Sequence, residues 1–311
     1  MQLLCKTMSS FSDLFADFKN DLALMREGIA FVQSAYKGIG LLREGRAQTQ
    51  VAWPAEVTSA MDNITFPNRK TENLTYDGAV VLLSATYEVY ARDTVEAICR
   101  EIEKKIPRFD DLNEKIKSEN ARATGRVLSR HKDKRFSQFD YLNLSKFLGT
   151  CVAGSENYKL NSGPLASHDR NLSSSELNVL FSRLGIEKFW EQMGESASIL
   201  RHFETTKPQV AQKDATVKLD EFVTLRNQVA HAGGGETSTG PEALARWMDF
   251  FVALSEGLSK VAADHCDKLT PTAITAPAPL PTMPAPEVGS PGASQYALGA
   301  SIPQEEETTN E

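Results

Sequence analysis

The sequence predicts an all-α protein: a helical bundle with insertions that opens on one long helix and closes on a disordered, proline-rich acidic tail. Three observations predict it. Apolar residues recur three and four apart over several long stretches, as one face of a helix requires. No stretch of useful length alternates at the period of two that a half-buried strand needs. Glycine and proline punctuate the ends of the periodic stretches, where helix stop signals belong.

The elements follow in order. The first helix is expected over 9–43, capped by Ser9 or Ser10, with Phe11, Leu14, Phe18, Leu22, Met25, Ile29, Val32, Tyr36 and Ile39 as its apolar stripe. Gly28, Gly38 and Gly40 weaken it and are places to bend or end it. A loop with Trp53-Pro54 and Phe66-Pro67 leads to a second helix over 76–106, stopped by Pro107, with Val80, Leu83, Tyr87, Tyr90, Ile98 and Ile102 as its core face. Shorter helices are expected over 109–134, 174–184 and 186–203. The stretch 136–169 is rich in Gly, Ser and Asn and defines no element. A helix over 216–232 ends at Gly233-Gly234-Gly235, the usual left-handed terminator. A last helix starts at Gly240-Pro241 and buries Leu244, Trp247, Phe251, Leu254, Leu258 and Val261.

Composition bounds the function. The 311 residues are 41% hydrophobic and 24% charged, ordinary for a chain with a real core. No apolar run approaches membrane-spanning length. The first six residues lack the layout of an export signal, so the cytoplasm is expected. Four Asn-x-Ser/Thr matches, at Asn63, Asn73, Asn143 and Asn171, carry no meaning without export. Cys5, Cys99, Cys151 and Cys266 lie far apart, which argues against a disulfide scaffold and a zinc site. Residues 269–311 hold five glutamates and no Lys or Arg, so they carry −5 of the net charge of −7. The nearly neutral remainder is compatible with a nucleic-acid substrate. From Thr270 onward the tail holds eight of the 14 prolines and cannot bury a core. Three regions result: a helical extension over 1–70, a helical domain over 71–268 and the tail over 269–311.

The chemistry concentrates in Arg226-Asn227-Gln228-Val229-Ala230-His231. Leu219, Phe222, Val229 and Ala230 mark the buried side of this helix, and Arg226 falls within that stripe, where a lone cation is costly. His231 lies about 140° further round, with Asn227 between them in angle. At the last turn the carbonyl end of the helix dipole favours a cationic imidazole, which can serve as a proton donor. The other reading of these residues is an arginine paired with a buried acid and a histidine capping carbonyls. Glu88 sits on the flank of its helix stripe and either fixes Arg226, forms a separate ion pair or stays exposed. Arg122, Arg126 and Arg130, four apart and followed by His131 and Lys132, are either a track for RNA phosphates or a solvated face. No P-loop, HExxH or GxSxG motif occurs, and neither a cofactor nor a metal is expected.

The string Leu-Arg-Asn-Gln-Val-Ala-His-Ala-Gly resembles the signature of the HEPN superfamily, Arg-x4–6-His with a polar residue after the arginine, and Arg226, Asn227 and His231 match it position for position. Residues 77–90 are similar to the early helix of HEPN branches from RNA-processing and defence loci, which tend to carry an acid where Glu88 stands. Residues 178–186, ending Arg-Leu-Gly-Ile, are similar too. The resemblance covers roughly 75–265. It implies a helical homodimer with two Arg–His pairs in one cleft, and a metal-independent endoribonuclease acting as a toxin, stress or antiviral-defence effector. His231 would move the protons of the 2′-OH or the departing 5′-oxygen, Arg226 would neutralise phosphoryl charge and Asn227 would orient one of them. A neutralising or regulatory protein is an implied partner. The resemblance also admits a non-catalytic dimer that binds nucleotide, RNA or protein. A third reading makes the first helix and the tail the working parts of an adaptor.

Overall fold

Why the chain folds as it does is read from a computed structural model, which describes residues 10–48, 54–63, 69–130, 132–168, 170–231 and 239–270. Among these there are eleven α-helices, all within one compact unit, and no β-strand. The acidic, proline-rich segment from 271 onward lies outside the described residues.

Helix α1 (Phe11–Gln48) starts on a reciprocal cap. The Asp13 amide donates to Ser10 Oγ at 3.2 Å and the Ser10 amide to Asp13 Oδ2 at 2.9 Å. Leu14, Phe18 and Leu22 are buried, Met25 and Ile29 half-buried, while Phe31, Leu41 and Leu42 face solvent. The helix runs through Gly28, Gly38 and Gly40 to Gln48 rather than ending at Arg43.

Helix α2 (Ala55–Asn63) precedes the central helix, α3 (Arg69–Lys105). Its expected core face, Val80 to Ile102, is buried throughout, and α3 packs against α1, α6, α10 and α11. It begins seven residues before the expected start, so the boundary drawn at 70/71 falls in its first turn. It ends two residues before Pro107, which cannot continue a helix.

The expected helix over 109–134 is shorter. After a single 3₁₀ turn, α4 (Glu114–Ser129) starts on Asn113, which accepts from the Lys115 amide. The stretch that defined no element holds α5 (Tyr141–Thr150), capped by Asp140, and α6 (Ser162–Ala166). Helix α7 (Ser174–Ser182) is capped by Ser173 and closes at Gly185, whose φ of +83° suits glycine. The helix expected over 186–203 is two, α8 (Phe189–Glu195) and α9 (Ala197–His202), because Ser196 between them is extended.

Helix α10 (Pro208–His231) starts two turns earlier than expected. Its N-terminal turn touches α8 so closely that a Cβ on Gly194 would stand 2.5 Å from Pro208 O. Helix α11 (Pro241–Asp267) carries proline in its first turn. Phe222 of α10 packs edge-on to Phe251 of α11 at 4.6 Å, Phe251 meets Tyr87 of α3 at 4.7 Å, and Phe18 of α1 meets Tyr90 at 4.9 Å. This aromatic chain joins the four long helices and sets the rotation of α10 about its axis. No described helix is long and apolar enough to cross a membrane.

Candidate functional site

Rotation about α10 decides what its motif presents. With about 100° per residue, Val229 returns within about 20° of Phe222, and both are buried. Arg226 lies about 40° from Phe222 and is half-buried. Asn227 and His231 lie about 140° and 180° away. Ala230, expected in the core, is exposed; at about 80° from Phe222 it has already left the stripe. His231 is the last residue of α10 and is exposed. The glycine run expected to terminate this helix lies outside the described residues.

Arg226 is placed like a core side chain but not satisfied like one. Its Nε is buried without a hydrogen-bond partner. Its Nη1 donates to Asn227 Oδ1 over a long 3.4 Å. Among the described residues no carboxylate stands within ion-pair distance of it. Removing a cation fully from water without a counter-charge costs several kcal/mol, and the partial burial of Arg226 incurs a share of that.

Asn227 is half-buried although its angle faces away from the core, because a loop covers it. Asn171 Nδ2 donates to Asn227 Oδ1 at 2.5 Å. Two turns earlier on α10, Asp220 accepts from the Ser174 amide at 2.8 Å and from Ser174 Oγ at 2.7 Å. These contacts fix residues 171–174 along α10. Asn227 Oδ1 is thereby used, and among the described residues its Nδ2 donors have no acceptor.

The loop's other end is held by two arginines. Arg126 Nη2 donates to Ser167 Oγ at 2.7 Å and to Ser167 O at 3.1 Å. Arg183, only 5% exposed, donates from Nη1 to Ser167 O at 2.7 Å and to Leu165 O at 2.8 Å. Burial, then the neighbouring Arg126 and Arg122, push the Arg183 pKa down.

The basic track over Arg122, Arg126 and Arg130 is therefore not a free row of cations. Arg126 points inward onto Ser167. Arg122 is exposed but paired with Glu119, at 2.5 Å. Arg130 is the exposed C-cap of α4 and is itself engaged. His131 lies outside the described residues.

Glu88 is half-buried on α3 and accepts from Ser84 Oγ at 3.4 Å. No ion pair joins it to Arg226. Of the readings open for Glu88, the clamp on Arg226 is not formed: Glu88 lines a separate cleft, which it shares with His168 at the start of the loop.

Sequence reasoning missed Asn171, Ser174, Asp220 and Arg183. Asp220 and Asn227 are seven apart, so a shared polar stripe on α10 was readable. Asn171 was visible only as a glycosylation match. The described residues contain no group of three His, Cys, Asp or Glu side chains arranged to hold a metal ion, and Cys99, Cys151 and Cys266 are free thiols.

The family model described as RiboL-PSP-HEPN matches residues 55–264, more than half of the chain. The chain belongs to the RiboL-PSP-HEPN family, within a nuclease-like or RNA-related superfamily. No curated protein and no solved structure matches.

Proposed function

We propose that the chain is a metal-independent endoribonuclease that cuts RNA by attack of a ribose 2′-OH. The observation that carries this reading is the half-buried Arg226 guanidinium, which has no carboxylate within ion-pair distance among the described residues and stands on the same helix end as the exposed His231. A dianionic phosphorane-like transition state supplies the missing negative charge, and fixed donors facing such charge commonly contribute the largest catalytic term.

The 2′-oxygen attacks phosphorus while the P–O5′ bond breaks, leaving a 2′,3′-cyclic phosphate and a 5′-hydroxyl. One imidazole takes the 2′-OH proton and another gives a proton to O5′. A homodimer provides both from two copies of His231. Arg226 and the Asn227 Nδ2 donors bind the non-bridging phosphoryl oxygens, and Asn171 keeps Asn227 in place. The activity suits a cytoplasmic toxin, stress or antiviral-defence effector, held in check by a neutralising or regulatory protein.

The test uses purified protein, EDTA and a single-stranded RNA whose cut position is then replaced by one 2′-deoxynucleotide. Cleavage to a cyclic phosphate, lost at the deoxy position, is the expected result. Equal cutting at the deoxy position contradicts the mechanism. No cutting of any RNA favours a non-catalytic binding module.

A further inference from the structure

The loop tied to Asn227 begins beside a second cleft, of about 790 Å³, walled by Glu88, Arg92, Phe136, Phe139 and His168. Its chemistry is the reverse of that around Arg226. Asp93 and Glu96 also line it, so carboxylates outnumber the one arginine, and a phosphate would be repelled. Glu88 accepts one long hydrogen bond and, among the described residues, has no cation within ion-pair distance. A half-buried carboxylate in that state retains acceptor sites for a donor from outside.

The wall beside it is aromatic. Phe136 and Phe139 lie 6.2 Å apart between ring centroids. The Phe139 ring rests against the backbone of α6, where a Cβ on Gly163 would stand 2.7 Å from Phe139 Cε1. The missing side chain at 163 gives that ring its seat.

A ligand that fits must offer a flat face to Phe139 and adjacent N–H donors to Glu88. Among the four RNA bases only guanine places two neighbouring N–H donors on its Watson–Crick edge, matching both oxygens of a carboxylate. Adenine and cytosine set an acceptor beside their amino group, and uracil flanks one N–H with two carbonyls. We infer that this cleft receives an unpaired guanine of the RNA substrate, its edge read by Glu88 and its face carried by Phe139. The inference rests on the RNA-cleaving reading of the Arg226 site. The two sites share one loop: His168 lines the cleft and Asn171 bonds Asn227, three residues away and at most about 11 Å along an extended chain. The guanine is therefore close to the scissile linkage.

The experiment measures binding rather than cleavage, so that the two readings fail separately. The full chain carrying His231→Ala is titrated with fluorescent adenosine hexamers holding one guanosine, one inosine or none. The guanosine hexamer is expected to bind about tenfold tighter than the all-adenosine one, with inosine, which lacks the 2-amino group, between them. Glu88→Gln in the same background removes the preference, and Phe139→Ala weakens every hexamer. Equal binding of the guanosine and adenosine hexamers, or a preference that survives Glu88→Gln, overturns the inference. Displacement of RNA by an arginine-rich peptide in a Glu88-dependent way overturns it too, assigning the cleft to a basic protein partner. A guanine preference in a protein that never cuts RNA upholds the cleft and removes only the catalytic reading.

Discussion

Asn171 Nδ2 donates to Asn227 Oδ1 at 2.5 Å, and this bond seats a loop on the motif helix across 56 residues of sequence. It spends the carbonyl of Asn227, and among the described residues the amide donors of Asn227 have no acceptor. Asn171→Ala and Asn227→Ala, singly and together, should show a coupling of about 0.5–1.5 kcal/mol in urea denaturation. Additive effects would show that the bond does not hold the loop.

Arg126 and Arg122 share one helix yet should behave differently. Arg126 bonds both the carbonyl and the hydroxyl of Ser167, so Arg126→Ala should destabilise the fold by about 1.5–3 kcal/mol. Arg122 is exposed and paired with Glu119, so Arg122→Ala should cost under about 1 kcal/mol. Thermal unfolding of the two variants checks the order, and a reversal would contradict the different structural roles given to the two side chains.

Gly194 sets how closely α8 approaches α10. An added Cβ would meet Pro208 O at 2.5 Å and Gln212 Cβ at 2.8 Å, and backbone cannot yield as a side-chain tip does. Gly194→Ala should cost about 1–3 kcal/mol through overpacking. An unchanged melting temperature would mean that the helices separate freely.

Acid should weaken the fold before its carboxylates titrate. Burial pushes the His265 pKa below 6.5; Lys268 adds to this and a hydrogen bond with the Leu184 backbone opposes it. Burial and then Lys218 lower that of His202, against Asp249. Both imidazoles stay neutral in the native state while the unfolded chain takes up protons near 6.5. Stability is then full above 6.5 and falls as pH drops through 6.5 towards the lowered native values. The urea midpoint should fall between about pH 7.5 and pH 5.5, less steeply in His265→Gln. An identical pH slope in the variant would contradict this assignment.

The long helices were legible because their burial follows one period: Val80 to Ile102 on α3 and Leu244 to Val261 on α11 each need only i, i+3 and i+4. Arg226 was legible for the same reason, since its angle from Phe222 is fixed by helix geometry. What was not legible lies between elements. Asn227 owes its burial to a loop 56 residues upstream, and Arg126 turned inward because Ser167 offers it two acceptors. Glu88 has the spacing of a partner for Arg226, but spacing along α3 says nothing about which cleft the carboxylate enters. Ser196, which divides the predicted 186–203 helix, is not a residue that ends helices by itself.

The central claim is that Arg226 and His231 together carry a reaction on RNA. It is tested most directly by the single-turnover cleavage rate, in EDTA, of the wild-type chain, Arg226→Ala and His231→Ala, each shown by circular dichroism to keep its helix content. Both variants should lose at least about a hundredfold in rate. A wild-type rate in both would contradict the account.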